Sequence, residues 1–309
     1  FLATSPQMIV VFTLGYLIIF VLALVNNSLV VTVIYRTQQM RTVTNMFLAN
    51  LAVADILVSL VVLPITLLNN LFTEWIFPAF LCKAVPYLQA VVVSASVNTL
   101  AAVAVERYFA IFYPHKTVIF PRTALFIIAF IWLVPMGIQI PWAFFSHLQD
   151  FYRGTVTLCV QSFPSQTLEK GFFFGVVFLT CYCIPLLFIS VFYSMIGLRV
   201  WRRNVAGIRG SRAERNIQRS KIRIVRMLVT VAMVFALLWL PLYSLRMRHY
   251  FGREIKGQYR VYLIRVISPL AQWFSSANSC VNPFIYCYFS EQFRKYIFEL
   301  LTELRSKCC

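Results

Sequence analysis

Acidic side chains are scarce in this sequence. Only 10 Asp and Glu occur among 309 residues, and charged residues of both signs make up 12%, against about 25% in a typical soluble domain. So little charge cannot cover a water-facing surface, and so apolar a chain does not stay disordered. Histidine is rarer still. His115, His147 and His249 are the only three, and no Asp or Glu accompanies them at catalytic spacing, which argues against a membrane enzyme. The eight cysteines, at 82, 159, 181, 183, 280, 287, 308 and 309, show no zinc-ligand spacing. No internal repeat is visible, which argues against an inverted-repeat transporter. Residues 1–7 carry no basic stretch, so no cleavable signal peptide is expected, and a start at Phe1 rather than Met leads us to expect a longer N-terminus.

What is present is apolar length. Hydrophobic residues make up 60% of the chain, and a spanning helix needs about 20 mostly apolar residues. Seven runs qualify: 8–35, 44–71, 81–112, 123–145, 171–201, 222–250 and 259–288. The fold class expected is an all-α membrane protein, a seven-transmembrane helix bundle. Prolines at 64, 86, 135, 141, 185, 241, 269 and 283 fall inside the runs, where neighbouring helices can meet the carbonyls they free. After the last run, Phe293, Tyr296, Ile297, Leu300, Leu301 and Leu304 recur at helical spacing among Arg294, Lys295, Arg305 and Lys307. That pattern predicts a C-terminal amphipathic helix on the membrane surface. Two parts follow: a bundle over 1–288 and a cysteine-ended tail over 289–309.

The net charge of +18 would suggest nucleic acid in a soluble protein. Here its placement decides. Arg199, Arg202, Arg203, Arg209, Arg212, Arg215, Arg219, Lys221, Arg223 and Arg226 flank the linker between runs five and six, opposed only by Glu214. Arg36, Arg41, Lys116 and Arg122 add to the same side. The positive-inside rule then predicts an extracellular N-terminus and a cytosolic C-terminus. A second cluster, Arg246, Arg248, Arg253, Lys256, Arg260 and Arg265 against Glu254, falls outside and is not explained by topology.

Each run carries a marker: Asn27-Ser28-Leu29-Val30; Leu51-Ala52-Val53-Ala54-Asp55; Cys82 and then Glu106-Arg107-Tyr108; Trp132; Pro185 with Tyr193; Phe235 through Trp239 to Pro241; and Asn282-Pro283-Phe284-Ile285-Tyr286. In these motifs the chain resembles class A, rhodopsin-like G-protein-coupled receptors over nearly its whole length. It departs in having Asn26 for the usual Gly, Leu238 for a common Cys, and Lys221 where many relatives place an acid. The segments 40–47 and 92–97, with Trp75-Ile76-Phe77, are similar to those of neuropeptide FF, SIFamide, orexin and cholecystokinin receptors.

The resemblance implies a plasma-membrane receptor for an extracellular neuropeptide that activates heterotrimeric G proteins. Further partners are arrestin, receptor kinases and membrane lipids, and nucleic acid is not among them. It implies no obligatory cofactor, but an allosteric sodium ion held by Asp55, Ser96, Asn278, Ser279 and Asn282, with Trp239 beside them. An intramembrane acid is otherwise a hydrogen-bonded structural group. Switch residues carried over are Glu106, Arg107, Tyr193, Phe235, Trp239, Asn282, Pro283 and Tyr286. Arg107 could alternatively snorkel to headgroups, and Pro185, Val97 and Phe235 could serve as ordinary core. The Cys82–Cys159 disulfide and palmitoylation of Cys308 and Cys309 also follow from the family pattern.

Ligand contacts expected by position are Thr66, Gln89, Tyr243, Arg246 and Gln272, with Trp239 as floor. Gln89 stands where amine receptors carry Asp, and Ser276 where visual pigments carry Lys, which argues against both ligand classes. The outer basic cluster suggests an acidic or sulfated group near Arg246 or Arg248; a merely solvated Arg-rich loop is the alternative. A non-peptide acidic ligand, or a channel or transporter, are the competing functions.

Overall fold

The structure, a computed structural model, describes residues 6–114, 118–151, 154, 156–205, 212–253 and 257–308, without the side chains of 203–205, 212–219, 259–260, 304 and 307–308. His115, Lys116, Arg209, Glu254, Lys256 and Cys309 lie outside the described residues, as do the side chains of Arg203, Arg212, Glu214, Arg215, Arg219, Arg260, Leu304, Lys307 and Cys308.

Seven long helices follow one another: α1 (Pro6–Arg36), α2 (Val43–Leu71), α3 (Ala79–Phe112), α4 (Pro121–Phe145), α5 (166–205), α6 (Arg212–Phe251) and α7 (258–289). An eighth, α8 (Glu291–Cys308), runs on from α7 after Ser290. Six of the seven are long and apolar enough to cross a membrane. The seventh, α7, is helical but more polar, with Gln272, Ser275, Ser276, Asn278, Ser279 and Asn282 in its middle. Most of these are buried against α1, α2 and α6. The sequence runs match the helices except at their ends. The largest extension is α6, which starts ten residues earlier than the apolar run, because an Arg-rich stretch in water is still a good helix former.

Local chemistry explains the starts and the irregular turns. Thr42 caps α2 by accepting from the Asn45 amide, and Ser165 caps α5 through the Leu168 amide. Pro121 sits at the first turn of α4, where no amide donor is needed. Three π-helical stretches, Val58–Val62, Phe172–Cys183 and Leu263–Ile267, each run up to a proline, Pro64, Pro185 and Pro269. A proline ring collides with the carbonyl four residues back, and a widened turn relieves that collision.

One element breaks the helical pattern. Strands β1 (Ser146–Phe151) and β2 (Val156–Gln161) form an antiparallel hairpin from Ser146↔Gln161 to Phe151↔Val156. Gly154, at φ +86°, occupies its turn, a conformation that a side chain disfavours. The hairpin is pinned to α3 by the Cys82–Cys159 disulfide and to the α2–α3 loop by Trp75 N donating to Thr157 O at 2.8 Å.

The core runs along the bundle axis through Phe47, Leu51, Val97, Val103, Leu228, Val231, Phe235 and Tyr286. A smaller cluster of Phe12, Tyr16, Ile19, Leu63 and Leu71 joins α1 to α2. Outward-facing side chains are as apolar as the core: Phe126 is 78% exposed and Phe130 68%. In water such a surface would aggregate, whereas in hydrocarbon it is solvated.

Candidate functional site

Three polar sites follow one another along the axis. At the hairpin end a cavity of about 60 Å³ is lined by α3, α4, α5 and α6, with Gln161 of β2 above it. Gln89, Trp239, Tyr243 and Arg246, four of the expected ligand contacts, line it together. The Arg246 guanidinium lies over the Trp142 ring, 5.7 Å from its centroid, a contact that orients the charge while leaving its edge free. Tyr243 packs on Tyr182 at 4.3 Å, whose hydroxyl donates to the Ala236 carbonyl at 2.8 Å, five residues before Pro241. The other two expected contacts lie elsewhere. Gln272 accepts from Asn70 Nδ2 at 2.8 Å, and half-buried Thr66 is not among the residues lining this cavity. Their sequence positions place them on the correct helices, but α2 and α7 meet each other there and use the Gln272 amide for that contact. Arg248 lines a second, larger cavity of about 540 Å³ with Lys170, His249 and Arg253, between α5, α6 and α7.

The middle site surrounds Asp55, which is 2% exposed. A cavity of about 20 Å³ is lined by Asp55, Ser96, Asn278 and Ser279, and also by Gln89, Phe235 and Trp239. Gln89 and Trp239 therefore face both this cavity and the one above it. Asn282 Nδ2 donates to Asp55 Oδ2 at 2.8 Å. The Oδ1 atoms of Asn278 and Asn282 are buried without partners among the described residues. The cavity lining offers a carboxylate, the Ser96 and Ser279 hydroxyls and the unpartnered Asn278 Oδ1, oxygens of the kind a hard cation takes, while Asn282 reaches the site only through its bond to Asp55.

At the far end, Arg107 bonds Glu106 through Nε and Nη2. Thr44 Oγ1 of α2 donates to Glu106 Oε2 at 2.9 Å, so the acid is held from two helices. Tyr193 is half-buried, and Tyr286 is fully buried with its hydroxyl unpartnered and its ring 5.7 Å from Phe293 of α8. Val97, Pro185 and Phe235 are all buried. Lys221 offers no carboxylate to Arg107. Instead Arg223, half a turn further along α6, pairs with Glu291 at the start of α8. The Arg223 hydrogen bond and charge hold the exposed Glu291 carboxyl below its ordinary value. The tail helix is further tied by Arg36–Glu303 at 3.6 Å and by Tyr296 Oη donating to Gln39 Oε1 at 2.8 Å.

Several partners escaped the sequence reading. Pro283 has no N–H for the Ser279 carbonyl, and Asn27 Nδ2 donates to that carbonyl at 2.8 Å. Asn50 joins three helices, donating to Thr99 at 2.8 Å and accepting from Trp132 Nε1 at 2.9 Å. Gln139, buried in α4, lines the upper cavity. A polar side chain within an apolar run was the signal for each.

A seven-helix membrane bundle with an axial acid, an Arg pair at one end and a hairpin-covered cavity at the other defines a transmembrane receptor architecture. The profile of the 7 transmembrane receptor (rhodopsin family) matches residues 26–286, and the chain belongs to that family. It is 36% identical to neuropeptide FF receptor 2 of Rattus norvegicus over 302 residues, spanning 94% of this chain and 72% of the relative. It is 33% identical to the RYamide receptor of Tribolium castaneum, spanning 94% and 80%. It is also 33% identical to the pyroglutamylated RF-amide peptide receptor of Rattus norvegicus, spanning 93% and 68%. The family and its neuropeptide-receptor branch agree with the motif reading. They make the chain a multi-pass plasma-membrane protein of a receptor family rather than an enzyme family.

Proposed function

We propose that this protein is a cell-surface receptor for an extracellular neuropeptide with an amidated C-terminus, and that it activates heterotrimeric G proteins. The observation that carries the reading is the joint placement of Gln89 and Trp239, which line both the hairpin-end cavity and the Asp55 cavity. The amidated ligand follows from likeness to receptors named for RF-amide and RYamide peptides. In this reading the hairpin end and N-terminus are extracellular, and α8 with the C-terminus is cytosolic. The bundle over 1–288 binds ligand and G protein; residues 289–309 form the membrane-surface tail.

A ligand contacting Gln89, Tyr243 and Arg246 presses on Trp239, the shared wall. Movement of Trp239 and Phe235 alters the volume beside Asp55 and the packing of α6 against α3 and α7. Asp55, Ser96, Asn278, Ser279 and Asn282 would hold sodium, whose positive charge, when present, balances the Asp55 carboxylate. A population of states differing at this site shifts toward whichever the ligand binds more tightly. At the cytosolic end Arg107 leaves Glu106 for Tyr193 and Tyr286, α6 swings outward, and the loop 113–121 with the basic ends of α5 and α6 receives the G protein. Arrestin and receptor kinases bind the same face, and Cys308 and Cys309 are palmitoylated, adding to the hold of α8 on lipid. The ligand also carries an acidic or sulfated group: Lys170, Arg248, His249 and Arg253 share the larger cavity, while Arg246 faces the smaller one.

The test expresses the full chain in cells with calcium and cyclic-AMP readouts. A library of amidated peptides, including acidic and sulfated ones, is screened, and nucleotide exchange is then measured with purified G protein. Exchange driven by an amidated peptide, and a drop in its potency on Arg246→Glu, are expected. Ion flux without nucleotide exchange under any peptide would refute the receptor reading.

A further inference from the structure

The cavity of about 540 Å³ between the hairpin-side ends of α5, α6 and α7 has two walls of opposite character. Lys170 of α5 with Arg248, His249 and Arg253 of α6 forms a basic wall. Leu245 of α6 with Leu263 and Ile264 of α7 forms an apolar one. Arg248 and His249 follow Leu245 by three and four residues, so one face of α6 passes from apolar to basic within a single turn. A helix leaving hydrocarbon for the headgroup layer carries such a change, its long basic side chains reaching toward water. Ile264 is 59% exposed, and Val261 and Tyr262 beside it are exposed too, so the apolar wall continues onto the outward-facing surface of α7.

The charge on the basic wall is unbalanced. No acidic side chain lines the cavity among the described residues. Glu169, next to Lys170 in the chain, is hydrogen-bonded to Tyr250. Lys170, Arg248 and Arg253 therefore share one space as like charges, which an anion between them would relieve. Nor is this space an extension of the smaller cavity. No residue lines both. On α6, Leu242, Tyr243 and Arg246 face the smaller one, and Leu245, Arg248 and His249 face the larger.

We propose that the larger cavity binds a single-chain amphiphilic anion drawn from the surrounding leaflet, with its carboxylate or phosphate head on Lys170, Arg248 and Arg253 and its hydrocarbon chain along Leu245, Leu263 and Ile264. Each wall rejects a different alternative. An inorganic anion has nothing to place against the apolar wall, and an uncharged lipid leaves three cations unmatched. The volume falls within the range of about 300–1,000 Å³ found for small-molecule pockets. The inference goes beyond the peptide reading, in which Arg246 in the smaller cavity remains free to meet an acidic group on the peptide.

The test uses the purified full chain in phosphatidylcholine nanodiscs, without peptide. Oleate carrying a mid-chain diazirine is photocrosslinked, and the labelled segments are mapped by mass spectrometry. Label is expected within 245–253 and 263–268. Oleate and oleoyl lysophosphatidate should both displace it, and oleyl alcohol, which lacks the charge, at least about tenfold less well. Whichever anion acts at lower concentration names the source of the head group. Arg248→Glu combined with Arg253→Glu should cut labelling of these segments by at least about fivefold, with label elsewhere unchanged. Should that protein not be monodisperse, Arg248→Gln with Arg253→Gln takes its place, with a loss in the same direction. Label spread evenly over the outward faces of all helices would overturn the inference, as would equal displacement by oleyl alcohol or labelling unchanged in the variants. A wild type without label in these segments, whose peptide potency nevertheless falls on Arg248→Glu, would give the cavity to the acidic group of the peptide and overturn it as well. Because no peptide enters the labelling, its failure leaves the receptor reading standing.

Discussion

Asn27→Ala should destabilise the bundle because of a proline 256 positions further along the chain. Pro283 supplies no N–H to the carbonyl of Ser279, which lies buried inside α7. Asn27 Nδ2 meets that carbonyl at 2.8 Å and also the Ala23 carbonyl at 2.8 Å. Asn27 is fully buried, so no bulk water can take its place. Truncation leaves the Ser279 oxygen unpartnered, which costs about 1–3 kcal/mol. Taken as about 2 kcal/mol, this is roughly a thirtyfold change in the folding equilibrium and, at about 2.1 cal/mol/K per residue, a fall in Tm of about 3 °C. Cys181 and Cys280 are free and buried, so a thiol-reactive fluorophore reports unfolding of the detergent-solubilised protein directly. The decisive control is Pro283→Ala, which restores an N–H four residues after Ser279. On that background Asn27→Ala should lose about half its effect, a coupling on the order of 1 kcal/mol. An unchanged midpoint for Asn27→Ala, or an equal shift on both backgrounds, would refute the account.

Three further outcomes follow from other contacts. A Cβ at Gly15 would stand 2.8 Å from Trp273 Nε1, so Gly15→Ala should lower the same midpoint through about 1–3 kcal/mol of overpacking; adding Trp273→Leu should restore it. Asp55→Asn removes the charge in the proposed sodium site, and agonist affinity should then be the same in sodium chloride as in choline chloride, where the wild type differs. Arg223 holds the Glu291 carboxyl below the usual 4.5, so the pair is present above that value and is lost as pH falls through the lowered one. At neutral pH, Glu291→Arg should free α6 and raise basal nucleotide exchange, and combining it with Arg223→Glu should return exchange to the wild-type level.

Much of the candidate site was legible because its residues violate their surroundings. Asp55 and Gln89 are polar groups inside apolar runs, and Arg107 follows an acid at the end of one. Legibility stopped at partnership. Thr66 and Gln272 stand on the expected helices, yet Gln272 is occupied by Asn70 and Thr66 does not reach the cavity wall. Rotation of a helix about its axis decides which neighbour a side chain meets, and a run of twenty apolar residues in lipid carries little periodic signal of that rotation. The hairpin between α4 and α5 was missed for a different reason: two six-residue strands carry too short a pattern to stand out between long apolar helices.

By itself the sequence determined that the chain spans a membrane seven times, which end gathers positive charge, and which polar residues lie at depth. Those properties depend on local composition against a fixed solvent, and hydrocarbon enforces them residue by residue. Only the tertiary structure decided that Asn27 meets Ser279, Asn282 meets Asp55, and Arg223 meets Glu291, contacts separated by 252, 227 and 68 positions. It likewise decided that Gln89 and Trp239 are shared between two cavities, and that Gln139 keeps an oxygen unmet. Such facts arise from how seven helices are rotated and set against one another, where each hydrogen bond depends on shifts of an ångström.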